Sequence, residues 1–189
     1  GQADSPPVTQ TAVTTTTTTT TTPAAPGDQL RDQFDAVVLA GGATTARDLP
    51  IPGRELRGIH QAMEYLPPSN KVQEGDYDES PISAKGKHVV VIGGGDTGAD
   101  CLGTAHRQCA VSVHQFEIMP RPPDTRDEST PWPMWSLMLR TSMAHEEGGE
   151  RVFAVNTEAF IDDGHGNVAA LRAHEVVQEI VDGRPRFTK

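Results

Sequence analysis

The stretch KHVVVIGGGDTGADCLGTAHRQCA, Lys87 to Ala110, decides the fold. β-Branched apolar residues run into three consecutive glycines, and a segment of helical composition follows. The pattern predicts a strand over Lys87–Ile92 and a helix from about Thr97 to Gln108. VSVHQFEI, Val111 to Ile118, predicts a second strand. A strand–helix–strand unit of roughly 30 residues requires a right-handed crossover and parallel strands.

The glycines have separate physical uses. Gly93-Gly94-Gly95-Asp96-Thr97-Gly98 fits G-x-G-x-x-G, with a strand before it and a helix after it. Gly93 permits the tight turn, Gly95 lets a pyrophosphate approach the backbone, and Gly98 lets the helix pack close to the sheet. The helix N-terminus offers free N–H groups and a positive dipole end to phosphates. These six residues are the candidate dinucleotide contacts. Glu117 lies 19 residues after Gly98, where an acid holds a ribose 2′-OH and favours NADH. Arg121 and Arg126 follow, and either suits the 2′-phosphate of NADPH. Both signals are present, so NADPH and NADH stay open. Ala40, Gly41 and Gly42, within Leu39–Ala43 (LAGGA), form a second glycine turn at a strand end and a further candidate approach.

The composition excludes several classes. Against 26 acids stand 16 Lys and Arg, a net charge of -10, which argues against a nucleic-acid binder. Cys101 and Cys109 form no C-x-x-C pair, so a cysteine-built iron–sulfur or zinc site is not expected in this chain, nor any other metal site. No window reaches the ~20 apolar residues of a membrane helix, and no signal peptide is legible. A cytoplasmic protein with reduced thiols is expected. No Ser-His-Asp or Cys-His arrangement is legible, and no catalytic residue is assigned. Hydride chemistry would be the cofactor's own.

Residues 1–28, with an unbroken run from Thr14 to Thr22, are expected to be a disordered Thr/Pro-rich tail. Residues 29–86 form a connecting segment. Within it QLRDQ ends a helix, FDAVVLA (Phe34–Ala40) is a buried strand, and RDLPIPGRELRG is a loop. IHQAMEYL is a helix with Ile59, Met63 and Leu66 on one face, and PPSNKVQEGDYDESPISAKG is a long polar loop. Residues 87–189 form the dinucleotide-binding domain. There MWSLMLRTSMAHEE reads as a helix ending near Gly148 and Gly149. Three extended runs after it predict an antiparallel meander. His145-Glu146-Glu147 reads as solvated surface and His106 as surface or packing. Trp132 and Trp135 are expected to cover the sheet edge or to pack against another domain.

Several segments in order resemble the small (beta) subunit of glutamate synthase, a flavoprotein with two dinucleotide-binding domains. They are FDAVVLAGGATTARDLPIPGRELRGIHQAMEYL, VQEGD, KHVVVIGGGDTGADCLGTAHRQ, FEIMPRPP, PWP and AHEEGGERVFAVNTEAF, between about residues 29 and 189. The fold class so implied is α/β, a Rossmann-like nicotinamide-dinucleotide domain with a β-meander. The resemblance implies hydride transfer from NAD(P)H to FAD, then electron flow through iron–sulfur clusters to a large subunit that makes glutamate from 2-oxoglutarate and glutamine. It places Gly93, Gly95 and Gly98 on the NAD(P)H pyrophosphate, and Ala40 to Gly42 where the nicotinamide domain returns to the FAD domain. The family's cysteine-rich region, its FAD glycine fingerprint and its C-terminal FAD segment have no counterpart in this sequence. The chain therefore reads as a fragment. An isolated NAD(P)H-binding module, an inert remnant and a relative of another FAD-dependent NAD(P)H oxidoreductase are the alternatives. Cys109 stands where the family usually has Gly, so a left-handed backbone is expected there.

Overall fold

The computed structural model describes residues 27–38 and 45–189. The chain divides into two units, residues 1–42 and 43–189. In the first, α1 (Gly27–Gln33) leads into residues 34–38, which have no regular structure. The expected strand Phe34–Ala40 is absent from its described part, where Phe34, Val37 and Val38 are exposed. A strand needs a neighbour for its N–H and C=O groups, and no described strand pairs here. Residues 39–44, with the LAGGA turn, and the expected tail as far as residue 26 lie outside the described residues.

The second unit runs α2 (Ala62–Glu74), β1 (His88–Ile92), α3 (Asp96–Arg107), β2 (Ser112–Phe116), α4 (Met143–Glu146), β3 (Glu150–Val152), β4 (Val155–Asp162), β5 (Val168–Glu175), β6 (Val177–Val181) and β7 (Arg184–Thr188). The expected βαβ unit forms as read. β1 pairs in parallel with β2, in the register Val89↔Val113 and Val91↔Gln115. On the covered face, α3 lays Leu102 and Ala105 against Val113, Val89 and Val91. Gly103 allows the close approach of α4, since a Cβ there would stand 2.9 Å from the Ala144 Cβ. The other face of β1 presents Val90 and Ile92, which remain more than 40% exposed.

Four expectations change. First, α2 continues through Pro67 and Pro68, where a loop was expected. Each interior proline removes one helical hydrogen bond, at a cost of about 3 kcal/mol or more. Tertiary bonds from the end of α3 recover part of that loss. The Gln108 Oε1 accepts from the Tyr65 hydroxyl at 2.9 Å and the Ala84 N–H at 2.8 Å, and its Nε2 donates to the Ser69 Oγ at 3.2 Å. Gly75, at φ 82, closes the helix as Asp76 N–H reaches the Lys71 carbonyl.

Second, MWSLMLRTSMAHEE is helical only over α4. The Leu139 N–H donates to the Pro123 carbonyl, the Asp127 N–H to the Leu137 carbonyl and the Leu137 N–H to the Thr130 hydroxyl. The preceding loop thus takes groups that a helix would pair internally. Third, of the two placements expected for Trp132 and Trp135, cover of a sheet edge is not seen among the described residues. Both are over 80% exposed, and Trp135 stacks on the Arg140 guanidinium at 3.9 Å.

Fourth, the meander is cut into shorter strands. Ala154, at φ 56, breaks the first run, and β3 joins the parallel sheet beside β2. The rest forms two antiparallel hairpins, β4–β5 and β6–β7. Residues 51–58 strap β4–β5: the Phe160 N–H donates to the Pro52 carbonyl at 2.9 Å and the Val168 N–H to that of Arg57 at 2.9 Å.

The expectation at Cys109 holds: its φ is 63, and the Ala110 N–H reaches back to the Ala105 carbonyl. Cys109→Gly removes a left-handed strain of about 1 kcal/mol and should raise the chemical-denaturation midpoint. Cys101 is buried, and burial, with Asp100 adding, pushes its thiol up to about 11. Iodoacetamide at pH 8 should therefore label exposed Cys109 and spare Cys101 in the native chain; mass spectrometry of the tryptic peptides reads the result.

Candidate functional site

β1 ends in a turn that only small residues can make. Gly93 has φ 122 and donates its N–H to the Phe116 carbonyl. Gly95 is the N-cap of α3, with its C=O accepting the Ala99 N–H and nothing within 4 Å of the place a Cβ would take. Its outer side is open. Gly98 is the opposite case. A Cβ there would lie 2.4 Å from the Gly93 carbonyl oxygen and 2.6 Å from the Gln115 Nε2. The close helix–sheet packing expected of Gly98 is therefore present, with a polar side chain filling the gap.

A cavity of ≈ 680 Å³ opens beside this loop. That volume is within the ~300–1,000 Å³ of ordinary ligand clefts. Gly94, Gly95 and Asp96 form one wall, while Arg121, Arg140 and Arg151 line it from other segments. Gly93, Thr97 and Gly98 are not on its surface. Gly93 and Gly98 shape the loop from behind, and Thr97 is exposed in the first turn of α3. Ala40, Gly41 and Gly42 lie outside the described residues.

Glu117 lines the cavity, with both carboxylate oxygens engaged by backbone. Oε2 accepts the Gly94 N–H at 2.7 Å and Oε1 accepts the Met119 N–H at 2.9 Å. The acid expected at a ribose thus braces the glycine loop while lining the cavity. Arg121 lies on the cavity wall and pairs with Asp124 at 2.6 Å. Arg126 points elsewhere: its guanidinium holds the Thr130 carbonyl at 2.6 Å and the Met134 carbonyl at 3.3 Å.

The sequence reading passed over Arg151 and Arg140. Arg151, half-buried on β3, donates to the Arg140 carbonyl at 2.9 Å and lies over the Phe153 ring. Burial and the neighbouring Arg121 charge lower its pKa, while Glu117 opposes the shift. A guanidinium still stays charged at neutral pH. Its signal in the sequence was faint, because only the parallel pairing of β3 brings residue 151 beside the glycine loop.

His145 is also corrected. It is half-buried on the cavity wall, with its Nε2 2.9 Å from the Gln115 Oε1. Burial, then the Arg151 charge, lower its pKa below the ordinary histidine value. His106 packs, as expected, against Gly148 and Gly149. Among the described residues, no group of three or more His, Cys, Asp or Glu is placed to hold a metal, and no helix is long and apolar enough to cross a membrane.

Known proteins were compared with this chain. The family model described as pyridine nucleotide-disulphide oxidoreductase matches residues 7–146. The chain is 70% identical over 162 residues to the glutamate synthase [NADPH] small chain of Mycobacterium tuberculosis, covering 83% of this chain and 33% of that relative. It is 45% identical over 156 residues to the glutamate synthase [NADH] of Schizosaccharomyces pombe, covering 76% of this chain and 7% of the relative. The chain thus spans about a third of the length of the bacterial relative. Among solved structures, Mycobacterium tuberculosis FprA in complex with NADPH aligns with a TM-score of 0.55 at 15% identity, covering 86% of this chain and 48% of that one. At that identity the likeness concerns the fold.

The loop geometry gives a direct test. Gly98→Ala places a methyl against the backbone of Gly93 and should cost about 1–3 kcal/mol by overpacking. Urea denaturation measures the loss; an unchanged midpoint would show that helix and sheet are looser here than described.

Proposed function

Because the chain belongs to the pyridine nucleotide-disulphide oxidoreductase family, we propose that its glycine loop and the arginine-lined cavity bind NADPH within a glutamate synthase small subunit. The single observation that carries the choice of nucleotide is the division of charge around the cavity. Glu117 is turned onto the Gly94 and Met119 N–H groups, while Arg121 and Arg151 stand on the wall. Paired guanidiniums suit a 2′-phosphate. NADH carries no 2′-phosphate for them to hold.

On this reading the N–H groups opening α3 receive the pyrophosphate, and the bare Cα of Gly95 lets it come close. Asp96 and Thr97 occupy the first turn beside it, and Gly93 and Gly98 set the turn. NADPH bound here would supply a hydride, for which FAD would be the acceptor in the whole protein; onward transfer to a large subunit through iron–sulfur clusters would serve glutamate synthesis from glutamine and 2-oxoglutarate. Ala40–Gly42 would contribute to the flavin site. A cytoplasmic location fits this role.

Titration of the chain with NADPH and NADH, followed by cofactor fluorescence, tests the proposal. Saturable binding with NADPH preferred is expected. Arg151→Ala or Arg121→Ala should weaken NADPH about tenfold or more and leave NADH nearly unchanged. Equal affinity for both nucleotides, or equal losses, would reject the phosphate role of the arginines. Flavin absorbance on the same sample should be absent; yellow protein would place an FAD site in this chain. Gly95→Ser separates binding from stability. Serine is a good N-cap and has room here, so the unfolding midpoint should hold while NADPH binding is lost.

A further inference from the structure

Gln115 is 1% exposed, one residue from the end of β2, and neither end of its amide is left unpaired. Its Nε2 donates to the Gly93 carbonyl at 2.9 Å. Its Oε1 faces the His145 Nε2 at 2.9 Å. On the far side of the imidazole, the Ser142 N–H donates to Nδ1 at 3.1 Å. The Ser142 hydroxyl also lies 3.0 Å from Nδ1, and the backbone N–H fixes the ring tautomer and the amide orientation. Nδ1 accepts, so Nε2 carries the hydrogen and gives it to the Gln115 Oε1, and the Gln115 Nε2 must then face Gly93. The lowered pKa of His145, from burial and then Arg151, keeps the ring in this neutral form at pH 7.

The chain of bonds joins two sides of the cavity. At one end is the turn that leads from β1 to α3. At the other is α4, which follows directly on the segment carrying Arg140 and Ser142. Gln115 occupies the space that Gly98 leaves free. Neither Gln115 nor His145 belongs to the glycine motif, and neither needs to touch a nucleotide to act on it.

We propose that His145 and Gln115 are positioning residues for the nucleotide, a relay that holds the Gly93 carbonyl and so sets the glycine loop at a fixed distance from the arginine wall. The proposal rests on the NADPH reading for its ligand but is visible without one. Removing His145 frees the Gln115 amide to rotate, and the loop then samples orientations in which its N–H groups miss the pyrophosphate. A side chain that can still donate to the Gln115 Oε1 should restore the loop.

Two measurements on the full chain test this, with His145→Ala, His145→Gln and Gln115→Leu. The backbone amide resonances of Gly93, Gly94 and Gly95 are recorded without nucleotide, and NADPH is then titrated by fluorescence. In His145→Ala and Gln115→Leu the glycine resonances should move and the NADPH Kd should rise about tenfold, the scale of one lost buried hydrogen bond with its partner stranded. His145→Gln should bring both readouts back toward wild type. If Gln115→Leu fails to fold, the His145 pair decides alone. Unmoved glycine resonances in His145→Ala, or no rescue by His145→Gln, overturn the relay. If the resonances move in His145→Ala and return in His145→Gln while the wild-type chain binds neither nucleotide, the cofactor reading is overturned, and the positioning role with it.

Discussion

The site depends on how closely the first turn of α3 approaches the end of β1. The room at residue 98 is already taken by the Gly93 carbonyl and the Gln115 amide. Only a hydrogen there keeps the helix N-terminus over the strand end, where its free N–H groups open onto the cavity. The same approach buries an uncharged polar side chain in the sheet. An amide in that place costs free energy unless both of its ends are paired. The Gly93 carbonyl and the His145 ring pair them, so the packing of the loop and the placing of α4 are one constraint seen from two sides.

The parts of the fold that could be read in the sequence are those decided locally. Valines ending in Gly93–Gly95, a helical stretch and a second β-branched run give the βαβ unit within about 30 residues. The left-handed backbone at Cys109 was legible only through the resemblance, which places a glycine there. Pro67 and Pro68 misled because part of their cost is recovered by Gln108, some forty residues away. Residues 134–141 misled because the loop at 123–130 takes their backbone groups. Phe34–Val38 carries strand composition without a described partner strand, and composition alone does not hold a strand.

The site was half legible. The motif gave the loop, and spacing gave Glu117 and Arg121 as rivals. Spacing could not show which way a carboxylate turns, and the Gly94 N–H decides that. Arg151 and His145 come to the cavity through the parallel pairing of β3 and the packing of α4 on Gly103, both long-range events. A titratable residue before two glycines looks like surface until the partner of its ring is known.

The uncovered face of β1 has a colloidal consequence. Val90 and Ile92 stand exposed on a strand whose outer edge no described strand pairs, and an apolar edge of this kind is a template for a second chain. The net charge of -10 opposes such contact, since like-charged copies repel before their edges meet. That repulsion acts over only ~8 Å at physiological ionic strength and shortens to about 3 Å at 1 M salt. Salt therefore removes the barrier while leaving the sticky edge, and it strengthens apolar association when the ions are sulfate or phosphate.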